Sequence, residues 1–87
     1  MISKDKEIIE NALRLLAKAK SMSRPVAAEY LSPLTFLNEQ CQGQEAANAV
    51  AAISTLVASL RTDAETKPDN WGSALKALQA WQDALND

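Results

Sequence analysis

The chain has 87 residues, of which 47% are apolar, 23% charged and 5% aromatic, and this balance is typical of a globular protein. Its net charge is −2, which is not the basic signature of a sequence-independent nucleic-acid binder. Sixteen alanines and eleven leucines, against two glycines and three prolines, favour helices over the tight turns of sandwiches and barrels. We therefore predict one all-α domain, residues 1–87, built as a compact bundle of four to five helices.

The first predicted helix begins near Ser3, whose hydroxyl is a candidate cap, and runs for about five turns. Lys18 and Lys20 are placed in its last turn, where the helix dipole favours cations. Its apolar stripe and its polar face both repeat with helical spacing. The stripe comprises Ile8, Ile9, Ala12, Leu13, Leu15, Leu16 and Ala19, and the polar face comprises Glu7, Glu10, Asn11, Arg14 and Lys18.

Two short segments follow, and each is predicted to start at a Ser-containing turn followed by a proline. The first starts at Pro25, with Val26, Ala27, Tyr30 and Leu31 as its apolar positions. The second starts at Pro33, and Gly43 is predicted to end it in the left-handed αL conformation. The apolar positions of the second segment are Leu34, Phe36, Leu37 and Cys41.

The segment from Gln44 to Arg61 is the most apolar part of the chain and predicts a helix with a wide buried stripe. Such a helix is usually central in its bundle or lies in an interface, so a homodimer through residues 44–61 is a hypothesis. Gln44, Asn48, Thr55 and Ser59 would form the polar rim of that interface. The stripe comprises Ala46, Ala49, Val50, Ile53, Leu56, Val57 and Leu60.

Residues 62–70 read as the clearest loop, because Pro68 disfavours helix at the residue before it. Asp69 or Asn70 is then expected to cap the last helix. The apolar side chains of that helix are predicted to share one face: Trp71, Ala74, Leu75, Leu78, Trp81 and Leu85.

The residue types that the chain lacks argue against catalysis. Without His there is no side chain whose ordinary pKa suits general acid–base work near neutral pH. Cys41 is the single cysteine, lies near Glu39 and Glu45, and is better explained as a small buried apolar residue. We predict no enzyme activity, no metal site and no cofactor, since zinc-type ligands and a Gly-rich phosphate loop are both missing.

Four residues are our candidates for binding a partner protein: Trp71, Arg14, Lys18 and Tyr30. Trp71 is included because an indole at a helix start beside a polar loop is often half-exposed, and Trp is enriched at binding hot spots. A structural role for Trp71 in the core is the alternative, and general burial trends favour it. Trp81 is assigned to the core instead. For the alternative of nucleic-acid binding, the candidate contacts are Arg14, Lys18, Lys20 and Arg24, although no Arg, Lys, Asn or Gln lies between Pro25 and Leu37 to read base edges.

The compartment is expected to be the reducing cytoplasm. A lone cysteine offers no intrachain disulfide, and no signal peptide is apparent at the N-terminus. The longest mostly apolar stretch, 46–60, is too short and too polar to span a bilayer, so no membrane partner is predicted.

Residues 8–31 carry a resemblance to a known family. Ile8 to Leu16, followed by Ser23-Arg24-Pro25-Val26-Ala27-Ala28-Glu29-Tyr30-Leu31, resembles the N-terminal segment of RadC-like JAB-domain proteins of bacterial chromosomes and mobile elements. The metal motif of that family contains a His, which this chain lacks. The resemblance therefore implies a bacterial, plasmid or phage origin, without metalloprotease-like activity.

These observations together predict a non-catalytic protein-interaction or regulatory module, an accessory protein of bacteria, phage or plasmids. Its binding would use helix faces rather than a pocket. The alternatives are a small DNA-binding regulator and an inhibitor of a larger host or phage complex.

Overall fold

The computed structural model describes residues 4–39, 43–62 and 68–86, and within these ranges the chain is helical with no strand. The prediction of an all-α bundle is confirmed. In these described ranges, four α-helices and one 3₁₀ helix follow one another. They are α1 (Lys4–Ala19), α2 (Arg24–Leu31), the 3₁₀ helix (Ser32–Glu39), α3 (Gln44–Arg61) and α4 (Pro68–Asn86).

Helix α3 is the centre of the bundle. It packs against α4, α2 and the 3₁₀ helix, while α1 closes the bundle against α4 and α2. All seven apolar residues of the predicted 44–61 stripe are buried, so the prediction of a central helix is confirmed. Because other helices of the same chain cover this stripe, it is not free to form the seam of a dimer.

Helix α1 buries one side, which confirms the predicted stripe. Ile9, Ala12, Leu16 and Ala19 are buried, with Ile8, Leu13 and Leu15 half-buried beside them. The helix ends at Ala19, so Lys20 lies just beyond the last turn in which we had placed it. The Ser21 hydroxyl donates to the carbonyl of Lys18 over 2.9 Å and helps to close the end. Ser3, the predicted cap, lies outside the described residues.

Helix α2 starts as predicted, with Pro25 in its first turn. A second short segment does start at Ser32-Pro33, but it is a 3₁₀ helix that continues α2 without a break, so the prediction of a capped restart there is wrong. Ser32 has right-handed helical angles, and its N–H donates to the carbonyl of Glu29. Pro33 has no N–H to make the α-helical bond to that carbonyl, so the tighter i→i−3 bond of a 3₁₀ helix takes its place.

Gly43 does not have the αL conformation that we predicted. Its φ of 117° and ψ of 162° place it at the N-cap of α3, as an extended lead into that helix. A positive φ with a ψ this large is accessible essentially to glycine alone. Cys41 lies outside the described residues.

Helix α4 begins earlier than predicted, at Pro68, so residues 68–70 are helical rather than part of a loop. Asp69 and Asn70 therefore lie inside the first turn and are not the cap. Residues 63–67 lie outside the described residues.

The predicted apolar face of α4 is only partly buried. Ala74, Leu78 and Trp81 are in the core, whereas Leu75 and Leu85 are 36% and 39% exposed. Two further predicted apolar positions, Val26 and Phe36, are more than half exposed.

The whole molecule measures 42 × 20 × 19 Å. No helix in the described ranges combines the length and the apolar character that a bilayer crossing requires.

Candidate interaction surfaces

A shallow apolar groove runs between α1 and α4. Its volume is about 140 Å³, and six side chains line it: Leu13, Leu16, Ala17, Lys20, Trp71 and Leu75. We call it the α1–α4 groove. Leu13, Leu16 and Ala17 lie on one flank of α1, and Lys20 follows just beyond its end. Leu75 lies one turn after Trp71 on α4.

Trp71 occupies the position that the sequence indicated. It is half-buried, packs against the core and lines the α1–α4 groove. Trp81, by contrast, is 2% exposed and belongs to the core, which confirms its assignment. The two indoles thus divide into one that a ligand can reach and one that it cannot.

Arg24 has a structural role that the sequence did not reveal. Its Nη2 donates to the carbonyl of Ser59 and to the carbonyl of Thr62, each over 3.0 Å. These are carbonyls at the C-terminal end of α3, which carries the negative end of the helix dipole and favours a cation. Arg24, at the start of α2, therefore fastens α2 to the end of α3.

Ser59 is the centre of this junction. Its carbonyl also accepts a hydrogen bond from the Thr62 hydroxyl over 3.0 Å, and its own hydroxyl accepts one from Asn70 Nδ2 over 2.8 Å. Asn70, which we expected to cap α4, instead ties the first turn of α4 to α3. In the sequence Asn70 is marked only as the last residue of the predicted loop, 62–70, which does not identify Ser59 as its partner.

The four basic residues proposed for nucleic acid do not share one surface. Arg14 and Lys18 are exposed one turn apart on the outer side of α1. Lys20 lines the α1–α4 groove, and Arg24 is half-buried against α3. Of these four residues, Arg14 and Lys18 alone lie next to each other on one exposed surface.

Tyr30 is half-buried in α2 and packs against the core. Only part of its side chain remains for a partner. It lies next to Glu29, which belongs to a second exposed surface of α2.

That second surface is one that our sequence reasoning missed. The outer side of α2 and the 3₁₀ helix exposes Val26 to 53% and Phe36 to 56%. A groove of about 580 Å³ lies beside Phe36, lined by Glu29, Ser32, Pro33, Phe36 and Arg61. We call the surface formed by Val26, Glu29, Pro33, Phe36 and Arg61 the Phe36 face. A signal was present, since the i+3 spacing of Pro33 and Phe36 aligns them in a 3₁₀ helix, but the sequence did not predict that helix type.

The residues proposed as a dimer rim on α3 have mixed positions. Gln44, Asn48 and Thr55 are exposed, and Gln44 Nε2 donates to Asn48 Oδ1 over 2.9 Å. Ser59 is half-buried in the junction with α2 and α4. These residues therefore border an exposed side of α3 that consists mostly of polar residues and alanines. They do not border the buried apolar stripe.

Among the residues that the structure describes, no three acidic or thiol side chains gather as a metal site would need. Comparisons with protein families, with curated proteins and with solved structures found no match to this chain.

Proposed function

We propose that this chain is a non-catalytic protein-interaction module that receives an apolar side chain of a partner protein in the α1–α4 groove. The observation that carries the proposal is the half-buried Trp71 beside the exposed Leu75 in that groove. A Trp that is held by the core on one side and open on the other is the arrangement typical of a binding hot spot.

The size of the groove suits one anchor residue rather than a small molecule. Its volume of about 140 Å³ is below the range of typical ligand pockets, which begins at about 300 Å³. Burying one Leu, Met or Phe side chain there would contribute about 1.5–3 kcal/mol of binding free energy. Because Lys20 is exposed at the edge, a partner with a carboxylate beside its apolar anchor fits best.

We further propose that the chain is a regulatory accessory protein of bacteria, phage or plasmids. It would act in the cytoplasm, either as an adaptor or as an inhibitor of a larger complex. The resemblance of residues 8–31 supports the origin, and the single cysteine supports a reducing compartment. A DNA-binding role has less support, since Arg24 is engaged at the end of α3 and Lys20 lies apart from Arg14 and Lys18.

The test is affinity capture from a lysate of the source cells, with paired variants of the chain. Leu75→Asp places a charge in the groove at a side chain that is already 36% exposed, so the fold should persist. Ala80→Asp places the same charge on an exposed position of the same helix, away from the groove. We expect one stoichiometric protein to be retained by the wild type and by Ala80→Asp, and to be lost with Leu75→Asp.

A second measurement locates the contact on the chain. Acrylamide should quench the fluorescence of half-buried Trp71 but not that of Trp81, and the captured partner should protect Trp71. A partner that leaves Trp71 open to acrylamide, or that binds Leu75→Asp as well as the wild type, would show that the groove is not the binding site. Capture of no protein would count against the interaction role itself.

A further inference from the structure

A cleft between α2 and the C-terminal end of α3 is lined by two arginines. We call it the α2–α3 cleft, and its volume is about 550 Å³. Arg24 and Glu29 of α2 line it together with Arg61 in the last turn of α3. Two buried apolar side chains, Ala28 and Leu60, also contribute to its wall. A volume of this size lies within the range of about 300–1,000 Å³ that is typical of small-molecule sites.

The ionisable side chains of the α2–α3 cleft give it a positive charge. Arg24 and Arg61 contribute +2 and Glu29 contributes −1, so the three together carry +1. The whole chain carries −2, which means that this positive charge is a local concentration. A concave surface with an excess of one sign of charge focuses the electric field and attracts ions of the opposite sign. An anion is therefore the ligand type that the cleft favours.

The two arginines would contribute to such a site in different ways. Arg24 Nη2 donates to the carbonyls of Ser59 and Thr62, so its positive charge is held in place at the wall of the cleft. Arg61 is exposed, and its Nη2 donates to the Ser32 hydroxyl over a long 3.3 Å. A guanidinium has several further N–H donors, and its planar fork matches the oxygens of a phosphate or a carboxylate.

We propose that the α2–α3 cleft binds a small anionic ligand through a phosphate or carboxylate group. Arg61 donates hydrogen bonds to the oxygens of that group, and Arg24 supplies a fixed positive charge beside it. Ala28 and Leu60 offer apolar contact to the rest of the ligand, whereas Glu29 repels the anion and lowers its affinity. The cleft shares no lining residue with the α1–α4 groove, so this site does not depend on the proposed partner protein.

The test is a titration of the ¹⁵N-labelled chain with inorganic phosphate and, separately, with citrate. The side-chain Nε–H signals of the arginines report binding in NMR spectra, and sodium chloride keeps the ionic strength constant so that charge screening does not change. We expect the Arg61 signal to shift and reach a plateau with at least one of the two anions. The signal of Arg14, which is exposed on α1, should not follow it. Comparison of the two titrations shows whether the cleft prefers a phosphate or a carboxylate.

Two substitutions in the cleft have opposite expected effects on affinity. Arg61→Gln should weaken binding by about tenfold or more, since hydrogen bonds from a charged group to the anion are lost. Glu29→Gln should strengthen binding by about twofold or more, because it removes a like charge from the site. Arg14→Gln and Glu10→Gln make the same two changes at exposed positions of α1 and are the matched controls.

Thermal unfolding with and without the anion compares the variants, since a ligand that binds the folded state raises its Tm. The curve without anion also shows that each variant is folded. A wild type and a Glu29→Gln variant that both lack a saturable response to either anion would overturn the proposal. Equal affinity of Arg61→Gln and the wild type would place the anion elsewhere, and weaker binding by Glu29→Gln would contradict an anionic ligand.

Discussion

Arginine has two different roles in this molecule, depending on which groups surround its side chain. Arg14 and Arg24 are both basic residues in the N-terminal third, and the sequence placed them together as contacts to a phosphate backbone. In the structure Arg14 is exposed, whereas Arg24 donates to two carbonyls at the end of α3. Nothing in the sequence around Arg24 indicates that its hydrogen-bond partner lies 35 residues away, at Ser59.

Replacing Arg24 should therefore cost stability. We expect Arg24→Ala to lower the free energy of unfolding by about 1.5–3 kcal/mol, as is usual when hydrogen bonds from a charged group are lost. Arg24→Lys should recover less than the full loss, because an ammonium cannot reproduce the fork of a guanidinium. Urea unfolding followed by circular dichroism provides the measurement.

Arg14→Ala is the matched control, because Arg14 is exposed on α1 and should change stability by no more than about 0.5 kcal/mol. Equal stability of Arg24→Ala and Arg14→Ala would mean that the junction at the end of α3 contributes nothing.

At the scale of helices, the long elements matched the prediction, but the C-terminal end of α1 and the start of α4 did not. Helix α3 occupies the predicted residues 44–61. The short connection from α2 was misread because Ser32-Pro33 has the same local pattern as a helix start. The start of α2 follows Ser23, which lies two residues before Pro25 and has extended angles, whereas Ser32, directly before Pro33, keeps helical angles.

The two glycines allow a matched test of helix ends. We expect Gly43→Ala to destabilise the fold by about 1–3 kcal/mol, because a φ of 117° is strained for any residue with a Cβ. Gly72→Ala lies within α4, where nothing approaches the added Cβ within 4 Å, and should stabilise the fold by about 0.5–1 kcal/mol. Thermal unfolding of the two variants, compared with the wild type, measures both effects. A Gly43→Ala variant as stable as the wild type would contradict the backbone assigned to the start of α3.

At the scale of the whole molecule, charge and surface decide which partners are plausible. The N-terminal third holds most of the basic side chains, yet the bundle distributes four of them between an outer face, a groove and an interhelical junction. Two exposed cations on one turn of α1 make a small contact with a phosphate backbone.

We therefore expect no measurable binding of random-sequence duplex DNA, even at low salt. Fluorescence anisotropy of a labelled duplex provides the measurement, with the double variant Arg14→Ala and Lys18→Ala as the control. Binding that falls steeply as salt is added, and that is lost in the double variant, would contradict the protein-interaction proposal and favour the DNA-binding alternative.

The sequence by itself determined the fold class, the bounds of the 44–61 helix with its buried stripe, and the place of Trp81 in the core. It could do so because helix propensity and apolar periodicity act within a few turns of chain. Ala46 to Leu60 repeat with a spacing that only a helix can bury on one side, and that spacing can be read without knowing the neighbouring helices.

Only the tertiary structure decided which apolar side chains remain exposed and which polar side chains form hydrogen bonds between helices. Phe36 and Leu75 have the same apolar character as their buried neighbours, yet they are 56% and 36% exposed. Arg24, Ser59 and Asn70 come from three helices and meet only where α2, α3 and α4 converge. Contacts of this kind depend on the packing of whole helices, and for that reason both candidate surfaces took their final form only in three dimensions.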